Sequence, residues 1–431
     1  MTREMKDSGV KWIGEIPKEW EIRKLSSISE TITDYVASGS FASLNENVTY
    51  LDEPDYAQLI RTVDLSGKSN VKPVYINKHS YEFLSNSNLF GGEIILSNIG
   101  SVGNVYLYEP IYKYSSLAPN SIMVKMKDNN KFYYYWFLNP MVNKELKNIG
   151  SNAIQAKFNK TQLRQFLVAR PPIDEQKKIV KYLDGKILQI DSIISKTKET
   201  IYSYKNYRQS LITEILTKGL NNTEMKESGV DWIGSIPKHT KLRKIKYIFE
   251  IKKDIAGEEG HNILSVTQKG IKIKDISKNE GQIATDYSKY QLVEKNDFVM
   301  NHMDLLTGWV DCSKYEGVTS PDYRVFRFIK PEEHSKEYYT YLMQICYSNK
   351  IFYGLGQGVS NLGRWRLQTD KFLNFKVPVP TLKEQQEIVE YLDKKCVEID
   401  NLIDKKELLI IELENYKKSL IYECVTGKKE I

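Results

Sequence analysis

The sequence has few cysteines and histidines, and their spacing excludes several kinds of site. Four cysteines and five histidines occur in 431 residues. No CxxC pair is present and the histidines are scattered, so the sequence predicts neither a disulfide framework nor a zinc or other metal site. No apolar run approaches the eighteen residues that a membrane span needs, and the polar start is unlike a signal peptide. We therefore expect a reduced, cytoplasmic protein without a membrane anchor.

Recognisable catalytic motifs are also missing. No GxxxxGK[ST] phosphate loop occurs, and the glycine-rich stretch at 354–358 lacks the strand–turn–helix context of a dinucleotide site. The tripeptide Asn139-Pro140-Met141 is not the N/D-P-P-Y/F motif of an aminomethyltransferase. His302 lies near Asp304 without a nucleophile at a recognisable spacing. We predict a binding protein that has no catalytic residues and no cofactor of its own.

Composition and charge set broad limits. With 41% apolar and 27% charged residues the chain is typical of a folded protein, and its length suggests two or three domains. The net charge of +7 permits contact with a polyanion but does not require it, because many proteins of this size carry a similar excess.

The strongest pattern is a long helical segment that occurs twice. Residues 171–217 return at 380–426 with 21 of 47 positions identical. Each copy begins with proline and has no proline after its first two residues, which suits a long helix. Apolar residues recur every 3.5 positions over five heptads, which predicts a coiled coil about 65 Å long. Because neither helix can bury its stripe alone, we expect the two copies to pair, antiparallel, in one chain. The predicted seam comprises Val180, Leu183, Ile187, Ile190, Ile194, Ile201, Tyr204 and Leu211 in the first copy and Val389, Leu392, Ile399, Ile403, Ile410, Leu413 and Leu420 in the second.

A second, shorter element is also duplicated. Residues 5–28 return at 225–248 with 14 of 24 positions identical, and we call these two stretches the leading segments. Each contains an SGV-WIG-IP motif whose tryptophan, Trp12 or Trp232, we expect to dock on the coiled coil. The bodies that follow, 29–170 and 249–378, share little sequence. Short β-type runs between polar turns, and one aromatic helix in each, predict mixed α/β bodies.

These repeated elements resemble the specificity subunit of type I DNA restriction–modification systems. The resemblance is carried by both leading segments and by the P-x-[IL]-x-E-Q-x-x-I-V-x-Y-L-D starts at 171–184 and 380–393. It implies two mixed α/β (α+β) target-recognition domains joined by an antiparallel two-helix coiled coil. The predicted divisions are 1–170 for the first domain, 171–220 for the first helix, 221–378 for the second domain and 379–431 for the second helix.

The resemblance also implies function and partners. Each recognition domain would read one half of a split, asymmetric site on double-stranded DNA, and the helices would set the spacing and dock two methyltransferase subunits. Restriction (translocase) subunits could join that complex, and S-adenosylmethionine, ATP and Mg would be bound by the partner subunits. The helix length corresponds to at most about 19 base pairs of B-DNA.

Polar residues in two loops of each body are the candidates for DNA contact. Phosphate contact needs Lys, Arg and small polar donors, whereas base recognition needs side chains that reach the groove edge. The candidates are Ser97, Asn98, Ser101, Asn104, Asn152, Gln155 and Lys157 in the first body and Asn301, His302, Arg324, Gln357, Asn361, Arg364 and Arg366 in the second. For the aromatic runs YYYWF and YYTY, helix core is favoured over base stacking.

Two alternatives of other classes stay open at this point. One is a nuclease or methyltransferase whose active site carries no readable motif. The other is a coiled-coil scaffold with two protein-binding heads, which would lack the steep salt dependence of a phosphate-contacting surface.

Overall fold

The computed structural model describes residues 3–67, 70–149, 157–221, 223–275, 284–356 and 365–431. Contacts divide the chain into two units, one of which is formed by two separate stretches of the chain. Unit 1 comprises residues 1–197 and 408–431, and unit 2 comprises residues 198–407. Each unit therefore combines one body with a part of both long helices.

Unit 1 is built on a four-stranded and a five-stranded sheet. The first has the order β10-β9-β12-β4 and is antiparallel throughout; the second has the order β5-β7-β6-β11-β8, in which only β11 and β6 are parallel. Its strands are β1 (Met5–Asp7), β2 (Glu15–Pro17), β3 (Glu21–Lys24), β4 (Ser29–Asp34), β5 (Tyr50–Leu51), β6 (Ala57–Ile60), β7 (Tyr75–Ile76), β8 (Asn88–Leu89), β9 (Ile94–Ser97), β10 (Val105–Leu107), β11 (Ser115–Leu117), β12 (Ser121–Met126) and β13 (Leu167–Arg170). Its short helices are α1 (Leu25–Ile28), α2 (Phe41–Asn47), α3 (Lys78–Phe83), α4 (Asn130–Leu138), α5 (Pro140–Asn148) and α6 (Lys160–Arg164).

Two long helices contribute to both units, and the remaining elements belong to unit 2. The long helices are α7 (Ile173–Lys218) and α11 (Leu382–Val425), and the shorter helices of unit 2 are α8 (Lys336–Ser348), α9 (Ile351–Gly354) and α10 (Thr369–Asn374). The strands of unit 2 are β14 (Met225–Glu227), β15 (Ser235–Pro237), β16 (Lys241–Lys244), β17 (Phe249–Lys252), β18 (Leu264–Thr267), β19 (Gly270–Ile273), β20 (Gln291–Val293), β21 (Phe298–Met300), β22 (Val310–Cys312), β23 (Gly317–Thr319), β24 (Arg324–Phe328) and β25 (Lys376–Val379). The order β22-β21-β24-β17 repeats the four-stranded sheet of unit 1. The bodies therefore share a sheet despite their divergent sequences.

One aromatic helix packs against this sheet in each unit. In α4, Tyr133 and Trp136 are fully buried, and in α8, Tyr338 and Tyr339 are equally buried. Asn129 caps the start of helix α4, because its side chain accepts hydrogen bonds from the amides of the first turn. The aromatic runs are therefore core, as the sequence analysis favoured, and do not form stacking platforms for bases.

The long helices bury their heptad seam against each other within each unit. In unit 1, Leu183, Ile190 and Ile194 of α7 share a core with Leu420 and Cys424 of α11. In unit 2 the later part of α7 packs instead against the start of α11, through Ile212, Leu216, Ile388, Leu392 and Cys396. Early residues of α7 thus meet late residues of α11 and the reverse, so the pairing is antiparallel, as predicted. Each predicted seam residue is buried or half-buried.

Two polar seam positions carry matching ion pairs. Lys417 of α11 donates to Asp191 of α7 at 2.8 Å in unit 1, and Arg208 of α7 lies 3.3 Å from Asp400 of α11 in unit 2. These four residues occupy equivalent positions of the duplicated helix. A polar seam residue that finds a charge only in one register specifies that register and orientation.

The leading segments pack on the bodies, which corrects one expectation. The ring of Trp12 contacts Phe166 at 5.3 Å between centroids, and Trp232 stacks on the equivalent Phe375 at 5.4 Å. Trp232 also borders side chains of α7, but its ring partner belongs to the body. The tryptophan that docks on a long helix is Trp20, whose indole N–H donates to Glu175 at 2.9 Å. Its long-range partner was not visible in the sequence.

Candidate nucleic-acid interface

The turn after β9 in unit 1 brings several candidates together. Asn98 exchanges two hydrogen bonds with Phe158, because the Phe158 amide donates to the Asn98 carbonyl at 3.2 Å and Asn98 Nδ2 donates to the Phe158 carbonyl at 3.0 Å. Ile99 pairs with Lys157 in an isolated β-bridge, which places the exposed Lys157 beside the turn. The buried Oδ1 of Asn98 has no partner among the described residues.

The turn after β21 in unit 2 has the same construction. The amide of Leu367 donates to the carbonyl of His302 at 2.9 Å, which matches the bond from Phe158 to Asn98, and the exposed Arg366 stands where unit 1 has Lys157. Nδ1 of His302, like Oδ1 of Asn98, is buried without a partner in the described part of the chain. In both units, hydrogen bonds thus join a polar turn to the segment that precedes a short helix, α6 in unit 1 and α10 in unit 2. An exposed cation lies beside the turn in each unit.

Other side chains complete each surface. Ser101 and Asn104 are exposed in the turn of unit 1, and Asn301 is half-buried at the start of the turn of unit 2. Gly100 and Gly103 have φ values of 77° and 90°, which non-glycine residues rarely adopt. The two glycines therefore allow the backbone conformation in which Ser101 and Asn104 are exposed.

Three candidates are buried, and the structure assigns them internal roles instead. Ser97, His302 and Arg324 are 1%, 7% and 4% exposed, so their side chains present no polar group to DNA. Arg324 donates to the Leu367 carbonyl at 3.0 Å and lies over the Phe372 ring, and burial lowers its pKa to about 10. Burial, together with the charges of Arg324 and Arg366, lowers the pKa of His302 to about 3. Ser97 and Arg324 are directed inward by their positions in strands and His302 by the turn after β21, which polarity alone could not indicate.

Five further candidates, Asn152, Gln155, Gln357, Asn361 and Arg364, lie outside the described residues. The β18–β19 hairpin was not among the predicted features, and its exposed tip and outer face carry Gln268, Lys269 and Lys272. The alternation of apolar and polar residues on both sides of Gln268-Lys269-Gly270 is a hairpin signal that could have found it.

The described residues contain neither a cluster of metal-ligating side chains nor a helix that could span a membrane. Within these ranges, no group of three or more His, Cys, Asp and Glu side chains could hold a metal ion. None of the helices there combines the length with the apolar character of a membrane span. All four cysteines are free.

The fold and the paired turns define a class of protein: a chain that carries two recognition units built on one duplicated plan. Comparison with known proteins identifies the family to which this class corresponds. The family model for the type I restriction modification DNA specificity domain (Methylase_S) matches residues 17–203 and again 237–415. The chain therefore belongs to the family of specificity subunits of type I restriction–modification systems.

Similar proteins agree over nearly the full length. A Methanocaldococcus jannaschii protein named as the specificity subunit of type I restriction enzyme MjaX is 25% identical over 96% of this chain and 95% of its own. The MjaVIII specificity subunit of the same organism is 26% identical over 72% of this chain and 73% of its own. Among solved structures, a chain from a study of complex assembly and conformational transition of the type I R-M system has a TM-score of 0.66, with 12% identity, and covers 95% of this chain and 98% of that one. The HsdS subunit from Thermoanaerobacter tengcongensis has a TM-score of 0.53, with 13% identity, and covers 99% and 100%. The structures support the fold.

Proposed function

We propose that each unit reads one half of a bipartite, asymmetric DNA target. The observation that carries this proposal is the shared turn construction with divergent outward residues. The exposed Lys157 of unit 1 is replaced by the exposed Arg366 of unit 2, and the interlock beneath them uses Asn98 in unit 1 and the buried His302 in unit 2. A shared frame whose side chains differ fits two readers of unlike sequences. Lys157 and Arg366 would contact phosphate, and Asn104, Ser101 and Asn301 would approach the bases.

The paired long helices would fix the gap between the half-sites. Their 46 and 44 residues form one uninterrupted helix each, and the matched ion pairs hold a single register. A helical spacer of this kind would set half-site separation as dimer geometry does in other DNA-binding proteins. The predicted division of the chain into two recognition domains and two helical regions is part of this proposal.

The helices also offer each unit a docking surface for one methyltransferase subunit. Four positions of the duplicated helix expose a large apolar side chain in both units, namely Leu188, Ile193, Ile411 and Tyr416 in unit 1, and Val397, Leu402, Tyr202 and Tyr207 in unit 2. Ile173 and Leu408 of unit 1 are exposed as well, without an exposed apolar counterpart in unit 2. Exposed apolar residues that recur at equivalent positions indicate two similar interfaces, and hence two copies of one partner.

Catalysis would then belong to the partners. We infer that this chain is a non-catalytic recognition subunit in the cytoplasm, that S-adenosylmethionine is bound by the methyltransferase subunits, and that ATP and Mg are bound by any restriction subunits. The purified chain alone should transfer no methyl group from S-adenosylmethionine to DNA.

A body exchange tests the recognition proposal. Residues 29–170 are replaced by the body of another family member, and the methylated adenines of host DNA are mapped with the methyltransferase subunit co-expressed. One half of the target should change, while the other half and the gap stay fixed, because the second body and both helices are untouched. The reciprocal exchange of residues 249–378 is the control and should change the other half. A change of both halves, or of the gap, in either chimaera contradicts the assignment.

A charge placed on one docking surface tests the partner proposal. Leu188→Lys together with Ile411→Lys should reduce the complex from two methyltransferase subunits to one, as measured by native mass spectrometry, since only unit 1 is altered. Gln189→Lys is the control on the same helix, because it introduces a lysine next to Leu188 at a position that is already polar. Retention of both partners by the double variant would refute the assigned surface.

A further inference from the structure

The β18–β19 hairpin of unit 2 is an amphipathic two-stranded ribbon. Leu264, Val266 and Ile271 lie on one face and pack into a small core with Val299 and Val325. Ser265 pairs with Lys272, and Thr267 pairs with Gly270, on the opposite face. Because successive strand residues point to opposite sides, the outer face is polar and its cations reach solvent.

The ribbon is held rigidly from behind and stiffened at its tip. The amide of Ile271 donates to Asp311 of β22 at 3.0 Å, so that β19 is fastened to the main sheet. Thr267 Oγ1 donates to the Gly270 carbonyl at 2.8 Å and accepts from the Lys269 amide at 3.1 Å. Gly270 has a φ of 95°, which suits a tight turn. A preorganised ribbon loses little conformational entropy on binding.

The ribbon tip adjoins the candidate interface of unit 2. Gln268 Nε2 lies 3.5 Å from the carbonyl of Thr307, in the turn that follows Asn301. Beside the ribbon is a polar groove of about 360 Å³ whose lining includes Ser265, Asn301 and Tyr323. One continuous polar surface therefore joins the ribbon to the turn.

Charge separates the ribbon from the groove. Lys269 and Lys272 are exposed, and neither forms an ion pair with another residue that the structure describes. The groove lining includes the carboxylates of Asp304 and Asp322 and one cation, Lys274, so the groove is less cationic than the ribbon. A phosphate backbone is therefore better accommodated at the ribbon than in the groove.

We propose that the β18–β19 ribbon enters the major groove of one half-site, where Lys269 and Lys272 contact phosphates and Gln268 reads a base edge. The inference rests on the proposed function of unit 2 as a DNA reader. The major groove is wide enough for a two-stranded ribbon, and a glutamine amide can pair with the N6 and N7 atoms of adenine. The weak hydrogen bond of Gln268 to Thr307 leaves its amide free to exchange partners.

The test uses the full-length chain assembled with its methyltransferase subunit, and a duplex that carries the target mapped for the unaltered complex. Lys269→Ala with Lys272→Ala should weaken binding about tenfold at moderate salt and lower the slope of log K against log salt by about 2, since each phosphate contact contributes close to 1. Gln268→Ala should relax one base position, in the half-site read by unit 2, when methylated adenines are mapped. Lys241→Ala, an exposed lysine on β16, is the control and should alter neither.

The outcomes separate this inference from the function beneath it. Unchanged affinity and salt slope in the double lysine variant, with sequence-specific binding by the unaltered complex, overturn the ribbon and leave the two-reader function intact. An unaltered motif in Gln268→Ala overturns base reading by the ribbon. Absence of any sequence preference in the unaltered complex would instead remove the proposed function itself. Circular dichroism melting curves identify a variant that fails to fold, and Lys269→Gln with Lys272→Gln then repeats the measurement.

Discussion

The two units solve the same packing problem differently at the corner where a leading segment meets the long helices. In unit 1 the buried indole of Trp20 fills this corner, its N–H donates to Glu175, and Arg3 lies over the ring while pairing with the same carboxylate. In unit 2, Thr240 stands at the matching position, and His239 forms a 2.6 Å contact with the equivalent Glu384. A cavity of about 30 Å³, lined by Thr240 and Glu384 among others, remains there.

This difference shows which part of the duplication is constrained. The carboxylate near the start of each long helix is retained and finds a donor in both units, whereas the residue that supplies the donor differs. A buried or half-buried carboxylate needs a partner, but several side chains can provide one. Filling the corner with an aromatic ring is thus a feature of one unit and not a requirement of the frame.

The largest expected effect comes from giving unit 1 the corner of unit 2. Trp20→Thr removes a fully buried indole and the hydrogen bond to Glu175, so unit 1 should lose about 3–5 kcal/mol of unfolding free energy. Denaturant-dependent hydrogen exchange measures this loss separately on peptides from β12 and from β24. Thr240→Ala is the matched variant and should cost unit 2 no more than about 1 kcal/mol. Equal losses in the two units would show that the corners are energetically equivalent.

A smaller effect is expected from protonation of His302, which belongs to unit 2. The pKa of His302 is lowered to about 3 by burial and by the charges of Arg324 and Arg366, while the unfolded chain has the ordinary value near 6.5. The unfolded state therefore binds the proton first, so this stabilisation is complete above pH 6.5 and is lost as pH falls from 6.5 toward 3. Below pH 6 the loss should approach about 1.4 kcal/mol per pH unit.

His302→Asn gives unit 2 the residue that unit 1 has at the matching turn position. The variant should lose the part of the pH dependence between pH 6.5 and 4.5 that His302 contributes, as measured by hydrogen exchange of β21 and β24 peptides. His79→Asn, at an exposed histidine of unit 1, should leave the profile of both units unchanged. If the slope of unit 2 persists without His302, other groups cause the acid sensitivity.

The sequence predicted those features that depend on local periodicity. Short β-type runs between polar turns form strands, such as Ser121–Met126, Phe298–Met300 and Arg324–Phe328, and the heptad residues are buried or half-buried in their helices. Periodicity reports burial directly, because one face of an element must meet the core. The sequences GEII at 92–95 and NDFV at 296–299 match weakly, and they lead into the equivalent strands β9 and β21 of the shared sheet.

Features that depend on long-range contacts could not be predicted. Arginine is a residue type that often contacts DNA, but the strand position of Arg324 directs its side chain to the Leu367 carbonyl and the Phe372 ring, over 40 residues away. Trp20 gave no signal of its role because Glu175 is distant in sequence. The missed ribbon differs, since its alternation is local and its turn chemistry is visible in the chain.

The division of unit 1 between two distant stretches of chain has a consequence for biosynthesis. Residues 198–407 contain all of unit 2, but unit 1 needs Leu420, Ile421, Cys424 and Val425 to complete its core. These residues are synthesised after all of unit 2. Unit 1 begins to be translated before unit 2 but is consequently completed after it. A premature stop codon near position 407 would remove part of the core of unit 1 and leave the residues of unit 2 in place.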